Sequence, residues 1–137
     1  MSDIIEAVKT QLEATAGLTA LVGSGSAARI YPELLPQSPT MPAVTYQMIS
    51  NVREERHRGQ TGDARPRFQF TCWAATALSA AAVATQVRLA VMGMTGTVAS
   101  VVIKGVWNAG ETRGYEPDTA RYFASIDLFI SHLEAVA

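Results

Sequence analysis

The sequence predicts an α+β fold, with a small, mostly antiparallel sheet, two main helices packed on one face, and long polar hairpin arms. Three observations point there. Apolar residues recur at helical spacing near the N-terminus and again over residues 77–92. Strict two-residue alternation marks residues 43–50, 67–73 and 120–131. Two polar, glycine-containing stretches, 51–65 and 108–119, separate strands that read as hairpin partners. The 137 residues are close to the commonest length for one core, so a single domain over residues 1–137 is expected.

Ile4, Ile5, Val8 and Leu12, with Glu6, Lys9, Gln11 and Glu13 between them, predict a helix over about residues 3–16. Asp3 would cap it, Glu6 would complete the capping box, and Gly17 would stop it. Leu18, Leu21 and Val22 predict one more helical turn before Gly23-Ser24-Gly25-Ser26. That stretch is a flexible turn rather than a phosphate cradle, because no strand precedes it and no Gly-Lys follows. Ile30-Tyr31 opens a short extended piece, and Pro32, Pro36, Pro39 and Pro42 hold residues 32–42 extended by fixing φ and biasing their predecessors.

In the strand 43–50, Val44, Tyr46 and Met48 share one side, and Thr45 and Gln47 the other. Over 67–73, Phe68, Phe70 and Cys72 alternate with Arg67, Gln69 and Thr71. Residues 77–92 predict an alanine-rich helix capped by Thr76 and stopped by Gly93, with an apolar stripe of Leu78, Ala82, Val83, Val87, Leu89, Ala90 and Met92. A strand follows over 98–107, weakened by Gly105. The last strand, about 120–131, sets Tyr122, Ala124, Ile126, Leu128 and Ile130 against Arg121, Ser125, Asp127 and Ser131. Phe68, Phe70, Ile126 and Leu128 are the expected core.

Composition narrows the function. The chain is 48% hydrophobic, too apolar for disorder, and its 17% of charged residues falls below the roughly 25% of an ordinary soluble domain. Surface covered by a partner would explain the deficit. A net charge of −1 gives no global field toward nucleic acid or anionic lipid. Cys72 is the single cysteine, which excludes an intrachain disulfide and suits synthesis in a reducing cytoplasm. Met1-Ser2-Asp3 lacks the features of a signal peptide, and no apolar run approaches the ~20 residues of a membrane span, so no membrane partner is expected.

The residues that could carry chemistry do not converge. His57 and His132 have no partners at metal-ligand spacing and read as solvated surface. Cys72, in phase with Phe68 and Phe70, reads as a buried, inert thiol. No serine sits in a nucleophile elbow, and the pairs Glu54-Glu55 and Glu116/Asp118 lie in polar stretches with nothing to raise a carboxyl pKa. No catalytic residue, metal or cofactor is expected, and the chain reads as a non-enzyme.

Five of the eleven basic residues, Arg53, Arg56, Arg58, Arg65 and Arg67, lie within residues 53–67, interspersed with Glu54, Glu55 and Asp63. Mixed charge rich in arginine suits a protein interface. Arg53, Glu54, Glu55, Arg56, Arg58 and Arg65 are therefore candidate subunit contacts on an arm expected to order against a neighbour. Glu111, Arg113 and Tyr115 of the second polar stretch are candidates for the same kind of contact. The alternative is a small nucleic-acid-binding module using the 53–67 arginines, which the near-neutral balance and the lack of aromatic platforms disfavour.

The order of short motifs also carries a resemblance. An N-terminal helix leads to Arg29-Ile30-Tyr31-Pro32, then Met41-Pro42 and the strand Ala43-Val44-Thr45-Tyr46-Gln47. After the polar arm come Phe68-Gln69-Phe70-Thr71-Cys72-Trp73-Ala74, an alanine-rich helix with Val87-Arg88, and a closing hairpin around Arg121-Tyr122. Over nearly its whole length the chain resembles the tail-completion, or tail-terminator, proteins of long-tailed bacteriophages. The resemblance implies a virion protein, made in the host cytoplasm, that caps the tail tube as a ring, commonly a hexamer. It further implies partners in the tail-tube and head-connector proteins, with DNA passing through the channel without sequence-specific binding.

Overall fold

The computed structural model describes residues 4–23, 28–36, 40–56, 59–99 and 101–133, and for 51–56 and 59–63 the backbone alone. Helix α1 (Ile4–Ala14) buries Ile4, Ala7, Val8 and Leu12. It ends earlier than expected, at Thr15, whose Oγ1 donates to the Gln11 carbonyl at 2.8 Å and whose extended backbone opens α2 (Ala16–Val22). Gly17 is therefore not the stop; it lies in α2, where a Cβ would stand 2.3 Å from Gln86 Oε1. Asp3, Ser24 to Ser26 and Pro39 lie outside the described residues.

Arg29 joins α2 to the sheet. Its Nη2 donates to the Leu21 carbonyl at 3.0 Å and its Nε to the Pro42 carbonyl at 2.8 Å, while its own backbone carbonyl accepts from Val44 N at 2.9 Å. One side chain thus anchors the start of β1 (Ile30–Pro32) beside β2 (Ala43–Arg56). The other elements are β3 (Gly59–Ala74), α3 (Ala77–Met92), β4 (Gly96–Val98), β5 (Val101–Glu116) and β6 (Arg121–Leu133). The six strands form one mixed sheet in the order β1-β2-β3-β6-β5-β4; β1 pairs with β2 in parallel, and the other four pairs are antiparallel. The fold is α+β, with three described helices where two main ones were expected.

The core lies between the helices and one phase of the strands. Phe68, Phe70, Ile126 and Leu128 are all buried, as the alternation predicts, together with Val44, Tyr46, Cys72, Ala124 and Ile130. Against them pack α1 and α2, with Ala80, Val83, Ala84, Val87, Ala90 and Val91 from α3. Thr76 caps α3 as expected, its Oγ1 accepting from Ser79 N at 3.1 Å, and Gly93 closes it. Four members of the expected stripe, Leu78, Ala82, Leu89 and Met92, point outward instead. The helix is apolar nearly all round, so periodicity alone could not phase it.

Both polar stretches are corrected in the same sense. Residues 51–56 continue β2 and residues 59–65 belong to β3, so the arm is a paired ribbon rather than a loop. Most of 108–119 is also strand: β5 runs to Glu116, leaving residues 117–120 as the turn, where Ala120 takes a φ of 52°. The expected strand 98–107 is split between β4 and β5. Truncating Phe70 to alanine should cost about 3–5 kcal/mol of stability, read as a lower urea midpoint at unchanged slope. An unchanged midpoint would place Phe70 outside the core.

Candidate protein interface

A strand whose inner phase is apolar turns its outer phase to the opposite face. No described helix contributes to the core from that side. The register builds the outer face in rows across β2, β3, β6 and β5. One row is Thr45, Thr71, Ser125 and Thr112, a line of hydroxyl side chains. The row before it is Ala43, Trp73, Phe123 and Gly114; the row after it is Gln47, Gln69, Asp127 and Gly110. Beyond these lie Arg67, Phe129 and Trp107. Both tryptophans of the chain and the two phenylalanines outside the core therefore stand on one face.

These side chains hold one another in place. The Trp73 and Phe123 rings meet at 5.7 Å between centroids, and Trp73 Nε1 donates to Thr45 Oγ1 at 3.2 Å. Phe123 lies over Gly114, where a Cβ would come within 2.7 Å of its Cζ, and Trp107 folds over Gly105, where a Cβ would come within 2.9 Å of the indole. Both glycines make room for a ring on a strand, a recurring device in sheets. Gln47 Nε2 donates to Gln69 Oε1 at 2.9 Å. Arg67 donates through Nη2 (2.6 Å) and Nε (3.1 Å) to Asp127 Oδ2, and its guanidinium carbon lies 5.8 Å from the Phe129 ring centroid. Aromatics and arginine with little lysine or glutamate is the composition of an interface centre.

A second apolar surface lies on the opposite side. Leu78, Ala82, Thr85, Leu89 and Met92 follow one another along α3 at steps of four and three residues, all exposed, with Leu78 84% and Leu89 56% accessible. Arg88 is the sole charged residue of α3.

The residues singled out from sequence fall elsewhere. Arg53, Glu54, Glu55 and Arg56 lie on β2, where only the backbone is described, and His57 and Arg58 lie outside the described residues. Arg65 is exposed on β3, opposite Val52 in register. Glu111, Arg113 and Tyr115 are on β5, not in a loop, and they share the helix-side phase of the sheet beyond the helices. Arg113 pairs with Glu111 at 3.4 Å, and the Tyr115 and Tyr122 rings meet at 4.7 Å between centroids. Glu116 accepts from the Thr119 hydroxyl at 2.6 Å within the turn.

His132 is corrected outright. It is 3% exposed, because β6 extends past residue 131 and its inward phase carries the imidazole between Ala64 and Ile103. Cys72 is buried as expected; burial, with a smaller contribution from Glu111, pushes its thiol well above the ordinary range. Burial likewise raises the Tyr46 phenol, with Glu13 adding to the effect. Among the described residues, no group of three or more His, Cys, Asp or Glu side chains could hold a metal ion. No described helix is long and apolar enough to cross a membrane. Sequence reasoning missed the outer face, although aromatics on the polar phase of a strand, set opposite glycines, are the signal that marks it.

Outside the core, the distinctive features of the fold are the aromatic outer sheet face and the exposed apolar stripe of α3. The sequence profile of the tail completion protein gp17 family matches residues 6–131, and the chain belongs to that family. It is accordingly a structural protein of a phage-type virion tail. Among solved structures it is similar to a chain in the virion of a native gene transfer agent particle, with a TM-score of 0.75, 22% identity and 95% and 93% of the two chains covered. That likeness bears on the fold. No curated protein matches the sequence.

The raised thiol leads to a measurement. A neutral thiol reagent should leave Cys72 unlabelled in the folded protein at pH 8 and label one equivalent in denaturant. Rapid labelling of the native protein would show an accessible thiol.

Proposed function

We propose that this protein forms a ring on the finished tail tube, ends tube polymerisation, and presents the surface that joins the tail to the head. The observation that carries this reading is family membership over residues 6–131, nearly the whole chain, in a family described as tail completion proteins. Two further features support it. The outer sheet face and the outward stripe of α3 suit a subunit with neighbours on more than one side. Among the described residues, the β2–β3 ribbon continues beyond the β3–β6 pair Asp63–Leu133 as far as Arg56 and Gly59. Its Arg53–Arg58 segment and Arg65 serve as subunit contacts in this reading, and Glu111, Arg113 and Tyr115 serve on the other hairpin. The partners are further copies, commonly six in all, the tail-tube protein and the head connector. DNA passes through the channel without base-specific contacts, and the protein has no catalytic role.

Particles assembled without this protein should carry tails of uncontrolled length and heads that fail to join them. Electron micrographs of assembly reactions with and without the protein measure both. Joined particles with uniform tails in its absence would overturn the reading. Within that scheme, the ribbon can be shortened by replacing residues 54–63 with Asn-Gly, which keeps Ala64 opposite His132. The variant should melt within a few degrees of the parent and lose at least about tenfold in tail-joining activity. Parental activity would show the ribbon to be dispensable.

A further inference from the structure

The sheet ends in two edges, and each is covered over only three residues. β1 covers β2 at Val44–Tyr46, and β4 covers β5 at Val101–Ile103. Among the described residues, no strand pairs with the outer edge of β5 from Gly105 to Glu116. We infer that Glu111–Glu116 of β5 takes up an extended segment of a different protein as an added antiparallel strand. The inference rests on the contact role given above to Glu111, Arg113 and Tyr115, and it names what those residues meet.

This stretch of edge is regular as well as open. β5 carries one extra residue against β6 at Lys104 and another at Ala109, and such bulges spoil an edge for pairing. Beyond Gly110 the register runs unbroken from Glu111 opposite Ile126 to Glu116 opposite Arg121. Six residues, about 20 Å of strand, thus present main-chain N–H and C=O groups in the spacing that strand addition needs. The uncovered edge of β2 is interrupted between Met48 and Ser50 and between Arg53 and Glu55, so its longest regular run is Ser50–Arg53.

A second copy fits this edge poorly. Antiparallel pairing of Glu111–Glu116 with itself sets Arg113 opposite Arg113, a like-charge pair. One register further on, Pro117, which has no N–H, enters the ladder opposite Glu111. The register before it centres on Thr112 and runs both strands into the break between Asn108 and Gly110. The β2 edge of a second copy offers too short a run. The occupant is accordingly another protein.

The side chains beside the edge define the segment. Glu111, Arg113 and Tyr115 share one phase and are all exposed, with Tyr115 against Tyr122. An added strand meets them with a basic, an acidic and an aromatic residue in turn. The Arg113–Glu111 ion pair is exposed on both sides, so the added charges extend it into a cluster of alternating sign. On the other phase Thr112 and Gly114 have little bulk. The Phe123 ring lies over Gly114, its Cζ 2.7 Å from where a Cβ would stand, so an apolar residue opposite Gly114 packs against that ring. From its N-terminus the segment therefore reads aromatic, apolar, acidic, hydroxyl-bearing, basic. The mixed charge also keeps other strands off the edge, since an apolar or singly charged one finds no full match.

The probe is the end-blocked, fluorescently labelled peptide Lys-Tyr-Val-Glu-Thr-Lys, titrated with the full chain and followed by anisotropy. The parent should bind it with a Kd of about 0.1–1 mM, the strength of a small contact. The charge-exchanged peptide Lys-Tyr-Val-Lys-Thr-Glu should bind at least about tenfold more weakly, and the double variant Glu111→Arg with Arg113→Glu should reverse that preference. Two more peptides carry N-methyl groups on alternate residues, in opposite phase. A ladder points one set of N–H groups at β5 and the other at solvent, so only one of the two should lose binding. That comparison uses the parent and holds even where the double variant fails to fold. No saturable binding below about 5 mM, equal binding of the two N-methylated peptides, or an unchanged preference in the folded double variant would each overturn the inference. A parent dimer that the peptide dissociates would give the edge to a second copy and overturn it as well. The ring reading fails separately, through tails of normal length made without the protein.

Discussion

The ladder between β3 and β6 is the contact on which the other structure depends. The two long strand pairs of this chain, β2–β3 and β5–β6, would each be marginal alone, since a two-stranded hairpin has no second layer to bury its apolar phase. Pairing Phe68 with Leu128, Phe70 with Ile126 and Cys72 with Ala124 merges them into one sheet and creates a continuous inner face for α3. The same pairing places Trp73 beside Phe123 and Arg67 beside Asp127 and Phe129 on the other side. Core and outer face are therefore two readings of one register. A slip of β6 by one residue against β3 would send Asp127 and Phe123 inward and Ile126 and Leu128 outward. The Arg67–Asp127 pair is partly exposed, so its worth in stability is modest; its more definite contribution is to favour this register over its neighbours.

How far the sequence was legible follows from where water reaches. Residues 67–73 and 121–130 show clean alternation because one face is dry and the other is not, and there the expected phase matches the buried residues. Residues 108–116 have largely exposed side chains on both faces, so polar residues are tolerated in either phase and the strand leaves no periodic trace. Register shifts between Met48 and Ser50, Arg53 and Glu55, Ile103 and Gly105, and Asn108 and Gly110 break whatever phase remained. Polar, glycine-containing strand looks like loop for that reason. His132 was misread on a smaller scale: the alternation does reach it, but a histidine near the end of a strand carries no hydrophobic signal of its own.

The outward face of α3 was hidden for the opposite reason. Its stripe and its core face are both apolar, so the hydrophobic signal has no contrast around the helix. What distinguishes the two sides is size. The buried side uses Ala80, Ala84 and Ala90 with three valines to pack tightly on the sheet, whereas the long side chains Leu78, Leu89 and Met92 are left outside. A monomeric helix would place its leucines in the core and its alanines in solvent. The inverted arrangement is a cue that composition alone could not supply.

The low charge content takes on a physical meaning in this light. The charged fraction of 17% is spread unevenly, with one charged residue in the sixteen of α3 and a cluster of arginines and carboxylates at residues 53–67. Charges were thus kept at the arm and left off the helix stripe, while the sheet face holds its arginine and carboxylate in a pair. Burying an unpaired charge costs several kcal/mol, so a surface destined to lose its water tolerates few of them. In the isolated subunit the same economy leaves Leu78 and Leu89 wet and Ser125 without a partner, each a small unfavourable term.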